Sequence, residues 1–156
     1  MKKVLFSIVL LMCCMIVNAQ EEYYVKSAGQ GQGGRYLVSV TVNVKKKLPS
    51  TAEDLVMKYA VQGVMFRGLM AADGYGEQKP LITDPTIEQT KADFFQAFNN
   101  EGKYRNFASI VNSSLTSMKN KKTKMIETSA VVMVDKEALQ HYLEEAHVIK
   151  GFSNLW

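Results

Sequence analysis

The stretch that decides the fold is Tyr36–Lys46, which has the sequence YLVSVTVNVKK. Its apolar and polar side chains alternate, which is the period of a β-strand with one buried face. β-branched valines suit such a pleated, half-buried surface. We therefore predict a strand whose buried face carries Tyr36 and the four valines that follow it at alternate positions.

A helix is predicted to follow this strand. Ser50 is a suitable N-cap, and Glu53 stands three residues later, as in a capping box. The helical pattern continues to about Ala72, where Asp73-Gly74 is predicted to end it. A helix that is apolar on several faces is normally covered on each of them. The second half of the predicted helix is apolar on more than one face. The residues that extend its apolar surface include Val61, Val64, Met65 and Leu69.

Two covers are possible for these four side chains. A second helix is predicted from Pro85 to about Asn100, with Asp84 as its N-cap. It carries a stripe that contains Ile87, Phe94, Phe95 and Phe98. The pattern favours coverage by this phenylalanine helix. The alternative is a protein partner that docks on Val61, Val64, Met65 and Leu69.

The remaining pattern predicts two strands and a helix. A weak alternation lies within residues 104–118, and a polar hairpin tip follows at residues 119–123. A strand is predicted over Lys124–Val134, and a last helix over residues 136–147 with Asp135 as its cap. The order β-α-α-β-β-α predicts an α+β fold, with a three- to four-stranded, mostly antiparallel sheet covered on one face by helices. It approximates a split β-α-β unit, in which the first and third strands run parallel.

Residues 1–19 have the pattern of a secretory signal peptide of bacterial type. Lys2 and Lys3 precede an apolar run of about 14 residues, and Ala19 ends a permissive cleavage site. The run is shorter than the ~20 residues that span a bilayer, which argues against a membrane anchor. A lipoprotein acylated at Cys13 or Cys14 is the other alternative, but the bulky Met12 disfavours it.

Removal of residues 1–19 changes what chemistry is available. Both cysteines are lost, so no disulfide, thiolate metal site or cysteine nucleophile is expected. The net charge falls from +4 to +2, because two lysines are removed. Residues 20–34, rich in glycine, are predicted to form a flexible lead, with a short edge strand over residues 21–25 as the alternative for its first part. Residues 35–156 are predicted to form a single domain that does not span a membrane.

No pattern predicts a cofactor or a metal. The glycines of Gly29–Gly34 precede a strand and lack the spacing of a phosphate-binding loop, so we expect no cofactor there. His141 and His147 are six residues apart on one helix and point about 120° away from each other. They cannot share a metal ion by themselves.

Catalytic patterns are weak, so we lean against an enzyme. Asp73–Glu77 places two carboxylates in a glycine-rich loop, where a small hydrolase would need them held across a cleft. Ser113, Ser114 and Ser117 stand in a predicted strand, and no G-x-S-x-G motif is present. A hydrolase that uses the Asp73–Glu77 loop is the least favoured function.

Lysines form two basic clusters, Lys45–Lys47 and a second one at the hairpin tip. Such clusters can bind a polyanion or an acidic glycan. In a split β-α-β sheet the two clusters would lie at opposite ends, and no aromatic residues interleave with them, so nucleic acid is not expected. The second cluster consists of Lys119, Lys121, Lys122 and Lys124.

The sequence therefore favours a non-catalytic, exported binding or assembly module of the bacterial cell envelope, periplasmic or associated with the outer envelope. The layout is similar to small secreted α+β modules that act as accessory factors in bacterial envelopes, a likeness that carries no residue across. The expected partner is a protein, engaged through a sheet edge or the apolar helix surface, and oligomers are possible. Polyanion or glycan binding by the lysine clusters is the alternative.

Overall fold

A computed structural model describes residues 22–31, 33–44, 52–122 and 124–151. The described residues form an α+β fold, as predicted, with a mostly antiparallel sheet and four α-helices. The predicted signal peptide, Cys13, Cys14, Lys45–Lys47, Ser50 and the last five residues lie outside the described residues. The strands are β1 (Glu22–Gln30), β2 (Arg35–Val44), β3 (Ala108–Ile110), β4 (Thr116–Lys119) and β5 (Ile126–Asp135). The α-helices are α1 (Ala52–Gln62), α2 (Thr86–Thr90), α3 (Ala92–Asn100) and α4 (Lys136–Glu145).

The sheet has five strands, rather than the three or four predicted. Its order is β1-β2-β5-β3, and β4 also pairs with β5. Strands β3 and β4 pair with different parts of β5, so they share one edge of the sheet. The additional strand at the opposite edge is β1.

The prediction of a flexible lead over residues 20–34 is wrong for Glu22–Gln30, which form β1. This strand pairs antiparallel with β2 along most of its length. Tyr23, Val25 and Ser27 are buried. Their alternation with exposed residues favours a strand more than the glycines favour a flexible segment, because the glycines are concentrated in the turn that follows. Gly33 and Gly34 both have φ of 68°, a left-handed conformation that glycine adopts without strain.

The inner face of the sheet is the face that the helices cover. Val38, Val40 and Val42 of β2 are fully buried, as the alternation predicted. On β5 the residues directly opposite them are Val132, Ala130 and Thr128. Burial of this continuous apolar surface is the main driving force for packing α1 and α4 against the sheet.

Strands β2 and β5 are antiparallel, which overturns the split β-α-β arrangement. Arg35 lies opposite Asp135, and Val44 lies opposite Ile126. The C-terminal end of β2 is therefore beside the β4–β5 hairpin. Backbone pairing between residues so far apart in sequence has no local signal, so the alternation alone did not specify the strand direction.

The first helix ends earlier than predicted. After α1 the chain makes a π-helical turn, Gly63–Arg67, and leaves the helix at Gly68 instead of near Ala72. Gly68 has φ of 72° and ψ of −174°, a conformation that essentially only glycine adopts. The backbone N–H groups of Leu81 and Ile82 then donate to carbonyl oxygens of the π-helical turn, at 3.0 and 2.9 Å. These bonds replace those that a longer helix would have made.

Asp73-Gly74 forms a hairpin turn and does not terminate the helix. The backbones of Ala72 and Tyr75 exchange hydrogen bonds of 3.2 and 2.9 Å across it. Asp73 and Gly74 both have positive φ, 51° and 84°, as a type I′ turn requires. Asp-Gly is a preferred pair for this turn, so the dipeptide has a local function that differs from the predicted one.

The predicted phenylalanine helix forms as two short helices, α2 and α3, joined at Lys91. The Oδ1 atom of Asp84 accepts a hydrogen bond of 2.9 Å from the backbone N–H of Thr86, so the predicted cap is present. Phe98 is 1% exposed and lies near Phe94, Phe107 and the Tyr142 ring of α4. This aromatic cluster joins α3 to α4.

The last helix begins where predicted. The Oδ1 atom of Asp135 accepts a hydrogen bond of 3.0 Å from the backbone N–H of Ala138, which confirms the cap. Leu139 and Leu143 are fully buried. Helix α4 ends at Glu145, two residues before the predicted end, and Val148 is buried in the turn that follows.

Candidate functional site

The outer face of the sheet is the face that α1 and α4 leave uncovered. We define it by the residues that alternate with the buried ones on the five strands. The register places them in rows across the sheet, with Thr41 opposite Tyr24 and Ser129, and Leu37 opposite Met133. Its uncharged members include Tyr24, Leu37, Ser39, Thr41, Asn43, Ser109, Thr116, Met118, Ser129, Val131 and Met133.

The outer face is unusual because its central residues are uncharged and several are apolar. An antiparallel sheet with one solvated face normally carries polar side chains there. Here Val131 and Met133 are only partly buried, Tyr24 is 50% exposed and Met118 is 68% exposed. Val111, which donates its backbone N–H to Val131 at 2.9 Å, adds a further exposed apolar residue.

Charged residues lie at the rim of this uncharged area on three sides, whereas residues 108–118, at the edge formed by β3 and β4, include none. Glu127 lies at the hairpin end of the outer face, and Lys26 lies on the edge strand β1. At the opposite end, Arg35 and Asp135 lie across from each other, with Nε and Oδ2 3.6 Å apart. The arrangement has an uncharged centre and a charged rim, which is the composition typical of a protein–protein interface.

Hydroxyl groups on the sheet are used to hold the strands. The Oγ1 atom of Thr41 and the Oγ atom of Ser129 are 3.1 Å apart on the outer face. Between β3 and β4, the Oγ atom of Ser114 accepts from the N–H of Val131 and lies 2.6 Å from the Val111 carbonyl oxygen and 3.1 Å from that of Val131, which share its single hydrogen. Ser114 therefore satisfies the backbone of β5 where the edge strand is interrupted.

The four helix residues predicted to meet a partner are covered within the chain. Val61, Val64, Met65 and Leu69 are each at most 2% exposed. The prediction that they form a partner surface is therefore wrong for this fold. The cover comes partly from the predicted phenylalanine helix, whose Phe95 packs edge-on against Phe66, and partly from β1 and the segment around Leu81.

The lysine cluster is at the β4–β5 hairpin. Lys119, Lys121, Lys122 and Lys124 are exposed. Asn120 shapes the hairpin tip: its backbone N–H donates to the carbonyl oxygen of Met125 at 2.8 Å, and its Oδ1 atom accepts from the N–H of Lys122 at 2.9 Å. Val44, the last described residue before Lys45–Lys47, lies opposite Ile126 beside this hairpin.

Neither histidine belongs to a group of three candidate metal ligands within the described residues. The Nδ1 atom of His141 is 3.6 Å from an oxygen of Glu145, and both side chains are largely exposed. His147 lies beyond the helix, with φ of 53°. Within the described ranges, no three His, Cys, Asp or Glu side chains are grouped closely enough to hold a metal ion.

The predicted hydrolase carboxylates do not line one cavity. Asp73 lies in the exposed hairpin turn. Glu77 borders a groove of about 1550 Å³ between residues 77–84 and α4, and Asp73 does not line this groove. The two carboxylates are therefore not held across a shared cleft.

The outer face was missed because the alternation was used only to locate buried residues. The sequence did contain a signal, since no charged residue stands at positions 37–43 of β2 or 128–134 of β5. The pairing of these two segments, which makes the uncharged area continuous, required the tertiary structure.

In the part of the chain that the structure describes, no helix has the length and apolar character needed to cross a bilayer. Comparison with known proteins finds no matching family model, no matching curated protein and no matching solved structure.

Proposed function

We propose that this protein is an exported, non-catalytic binding module of the bacterial cell envelope that engages a protein partner through the outer face of its sheet. The observation that carries the proposal is the continuous uncharged area with charged residues at its rim. Export is supported by the sequence pattern of residues 1–19.

The outer face suits a protein partner for a physical reason. Removing uncharged side chains from water costs less than burying an unpaired charge, provided that their hydroxyl groups find hydrogen-bond partners. Exposed side chains such as Tyr24, Val111 and Met118 gain apolar contact when covered. The hydroxyl group of Ser39 can exchange water for a polar atom of a partner. The charged rim can then limit which partners bind.

Site-specific photo-crosslinking in envelope extracts tests this proposal. A photoreactive residue at Ser39, in the centre of the outer face, is expected to capture a partner protein. The same residue at Gln96, which is exposed on α3, serves as the matched control and is expected to capture nothing.

A charge variant makes the test specific. Val131→Glu places a carboxylate in the uncharged area and is expected to abolish the crosslink from Ser39. Gln96→Glu adds the same charge elsewhere and is expected to leave it intact. Equal crosslinking from both positions, or capture that Val131→Glu does not change, would contradict the proposal.

A second candidate function, polyanion or acidic-glycan binding, is supported by the antiparallel pairing of β2 and β5. This pairing places Val44, the residue before Lys45–Lys47, opposite Ile126 at the end of the sheet where the hairpin lysines lie. β2 and β5 do not run parallel, as clusters at opposite ends would have required. The four exposed lysines of the hairpin could contact several anionic groups of one polymer.

Heparin chromatography tests this second function. Replacement of Lys119, Lys121 and Lys122 by alanine is expected to lower the salt concentration needed for elution. Replacement of Lys79, Lys91 and Lys150, which are exposed elsewhere, removes the same charge and is expected to have a smaller effect. Equal shifts for the two triple variants, or elution of the unmodified protein below physiological salt, would exclude a specific basic site.

A further inference from the structure

A second candidate site lies on the helix side of β1, away from both the outer face and the lysine hairpin. It is a cleft of about 350 Å³ between β1, α1 and α2. The side chains that line it include Tyr23, Lys58, Tyr59, Gln62, Arg67 and Glu88. Most of them are polar, although the cleft adjoins the apolar core.

The cleft is lined by two stacked tyrosine rings, each with a cation close to it. The rings of Tyr23 and Tyr59 are 4.2 Å apart between centroids and inclined by 27°. The guanidinium carbon of Arg67 lies 3.7 Å from the Tyr23 centroid, and the Lys58 Nζ atom lies 5.7 Å from the Tyr59 centroid. The ring faces are already in contact with each other and with the cations. A ligand in the cleft would therefore meet mainly polar groups.

The backbone holds this arrangement closely. A Cβ atom at Gly63 would come within 2.8 Å of the Val25 side chain, so glycine permits the close approach of α1 to β1. The π-helical turn that starts at Gly63 ends with Arg67 above Tyr23. The Nη1 atom of Arg67 donates a 3.1 Å hydrogen bond to the Tyr23 carbonyl oxygen. π-helical turns occur often at functional sites.

The charges of the cleft are not neutralised by ion pairs. Across the described residues, no ion pair within 4.0 Å involves Lys58, Arg67 or Glu88. Arg67 uses one N–H group for the Tyr23 carbonyl, and a guanidinium has further donors. Burial raises the pKa of Tyr23 although the Arg67 charge acts to lower it, so the phenol remains a neutral donor at pH 7.

We propose that this cleft binds an oxyanion, the phosphate or carboxylate group of a small ligand. Arg67 and Lys58 supply the positive charge, and guanidinium and ammonium groups form strong, charge-assisted hydrogen bonds to such oxygens. The Tyr23 hydroxyl adds a neutral donor. Glu88 opposes the anion and weakens its binding. The inference is independent of the function proposed for the outer face.

Titration with inorganic phosphate and with acetate tests the inference. The nitrogen-15-labelled protein is observed by NMR at constant ionic strength, with sodium chloride as the blank. We expect saturable shifts confined to amides around Tyr23, Tyr59 and Arg67. Saturation by either anion supports the site, and the anion that binds more tightly identifies the ligand class.

Charge variants distinguish anion binding in the cleft from a purely structural role of the tyrosine stack. Lys58→Ala is expected to weaken binding at least about fivefold, as loss of one charge-assisted hydrogen bond implies. Glu88→Gln is expected to tighten binding, whereas Lys150→Ala, an exposed lysine elsewhere, is expected to have no effect. Arg67→Lys keeps the charge but loses the planar fork, so binding should weaken while the fold persists.

The inference is overturned by any of three results. The shifts do not saturate, sodium chloride produces the same shifts, or Lys58→Ala and Glu88→Gln leave the affinity unchanged. Circular dichroism of each variant confirms that the protein remains folded, so that loss of binding is not mistaken for unfolding.

Discussion

The two faces of the sheet are made of alternate residues of the same strands, and they differ in what covers them. On β5, Val132 is fully buried beneath the helices, whereas its neighbour Val131 is partly exposed on the outer face. Both are valines in regular strand backbone. The comparison shows that strand alternation assigns residues to faces, while the packing of helices decides which apolar face becomes the core.

Truncation of a covering side chain should produce the largest effect. Leu139→Ala removes a fully buried side chain from α4 and is expected to lower the free energy of unfolding by about 2–5 kcal/mol. Met118→Ala on the outer face should change it by less than about 0.5 kcal/mol. Chemical denaturation of both variants measures the difference, and equal losses would show that the outer face is also covered.

A matched pair on one strand sharpens the comparison. Val132→Thr places a hydroxyl group in the core and is expected to cost about 1–3 kcal/mol of unfolding free energy. Val131→Thr places the same group at the partly exposed position and should cost less than about 0.5 kcal/mol. Urea denaturation provides the measurement. A reversed order would mean that the two faces have been assigned wrongly.

The smallest effect is expected at the ion pair that links α1 to the 3₁₀-helix Lys103–Asn106. The Nε and Nη2 atoms of Arg105 lie 2.6 and 2.7 Å from the Asp54 carboxylate oxygens and lower the pKa of Asp54 below its usual 3.8. Since the pair is partly exposed, Asp54→Asn should cost less than about 1 kcal/mol at pH 7.

The unfolding free energy lost in Asp54→Asn should depend on pH in a direction that the lowered pKa predicts. A lowered carboxyl pKa stabilises the fold at pH values above 3.8, and the contribution disappears as the pH falls through the still lower pKa of the folded state. The difference between the unmodified protein and Asp54→Asn should therefore shrink in acid. Thermal unfolding from pH 7 to pH 2.5 measures it, and a difference that grows in acid would contradict the assignment.

Several local features were predictable from residues close together in sequence. The alternation of β2, the caps Asp84 and Asp135 and the polar hairpin tip all depend on neighbours within a few positions. The end of the first helix was not predictable from nearby residues, because the conformation at Gly68 depends on contacts with residues 78–82. The candidate site was less predictable still, since its uncharged area is continuous only when β2 and β5 pair.

Sequence alone therefore determined the fold class and the residues that share each face of β2 and β5, because backbone geometry repeats over two residues in a strand and about four in a helix. The tertiary structure decided that Glu22–Gln30 joins the sheet and that β2 and β5 run antiparallel. It also decided that Val61 is covered while Val131 is not. These outcomes depend on contacts between distant segments, and no local periodicity encodes which segments will meet.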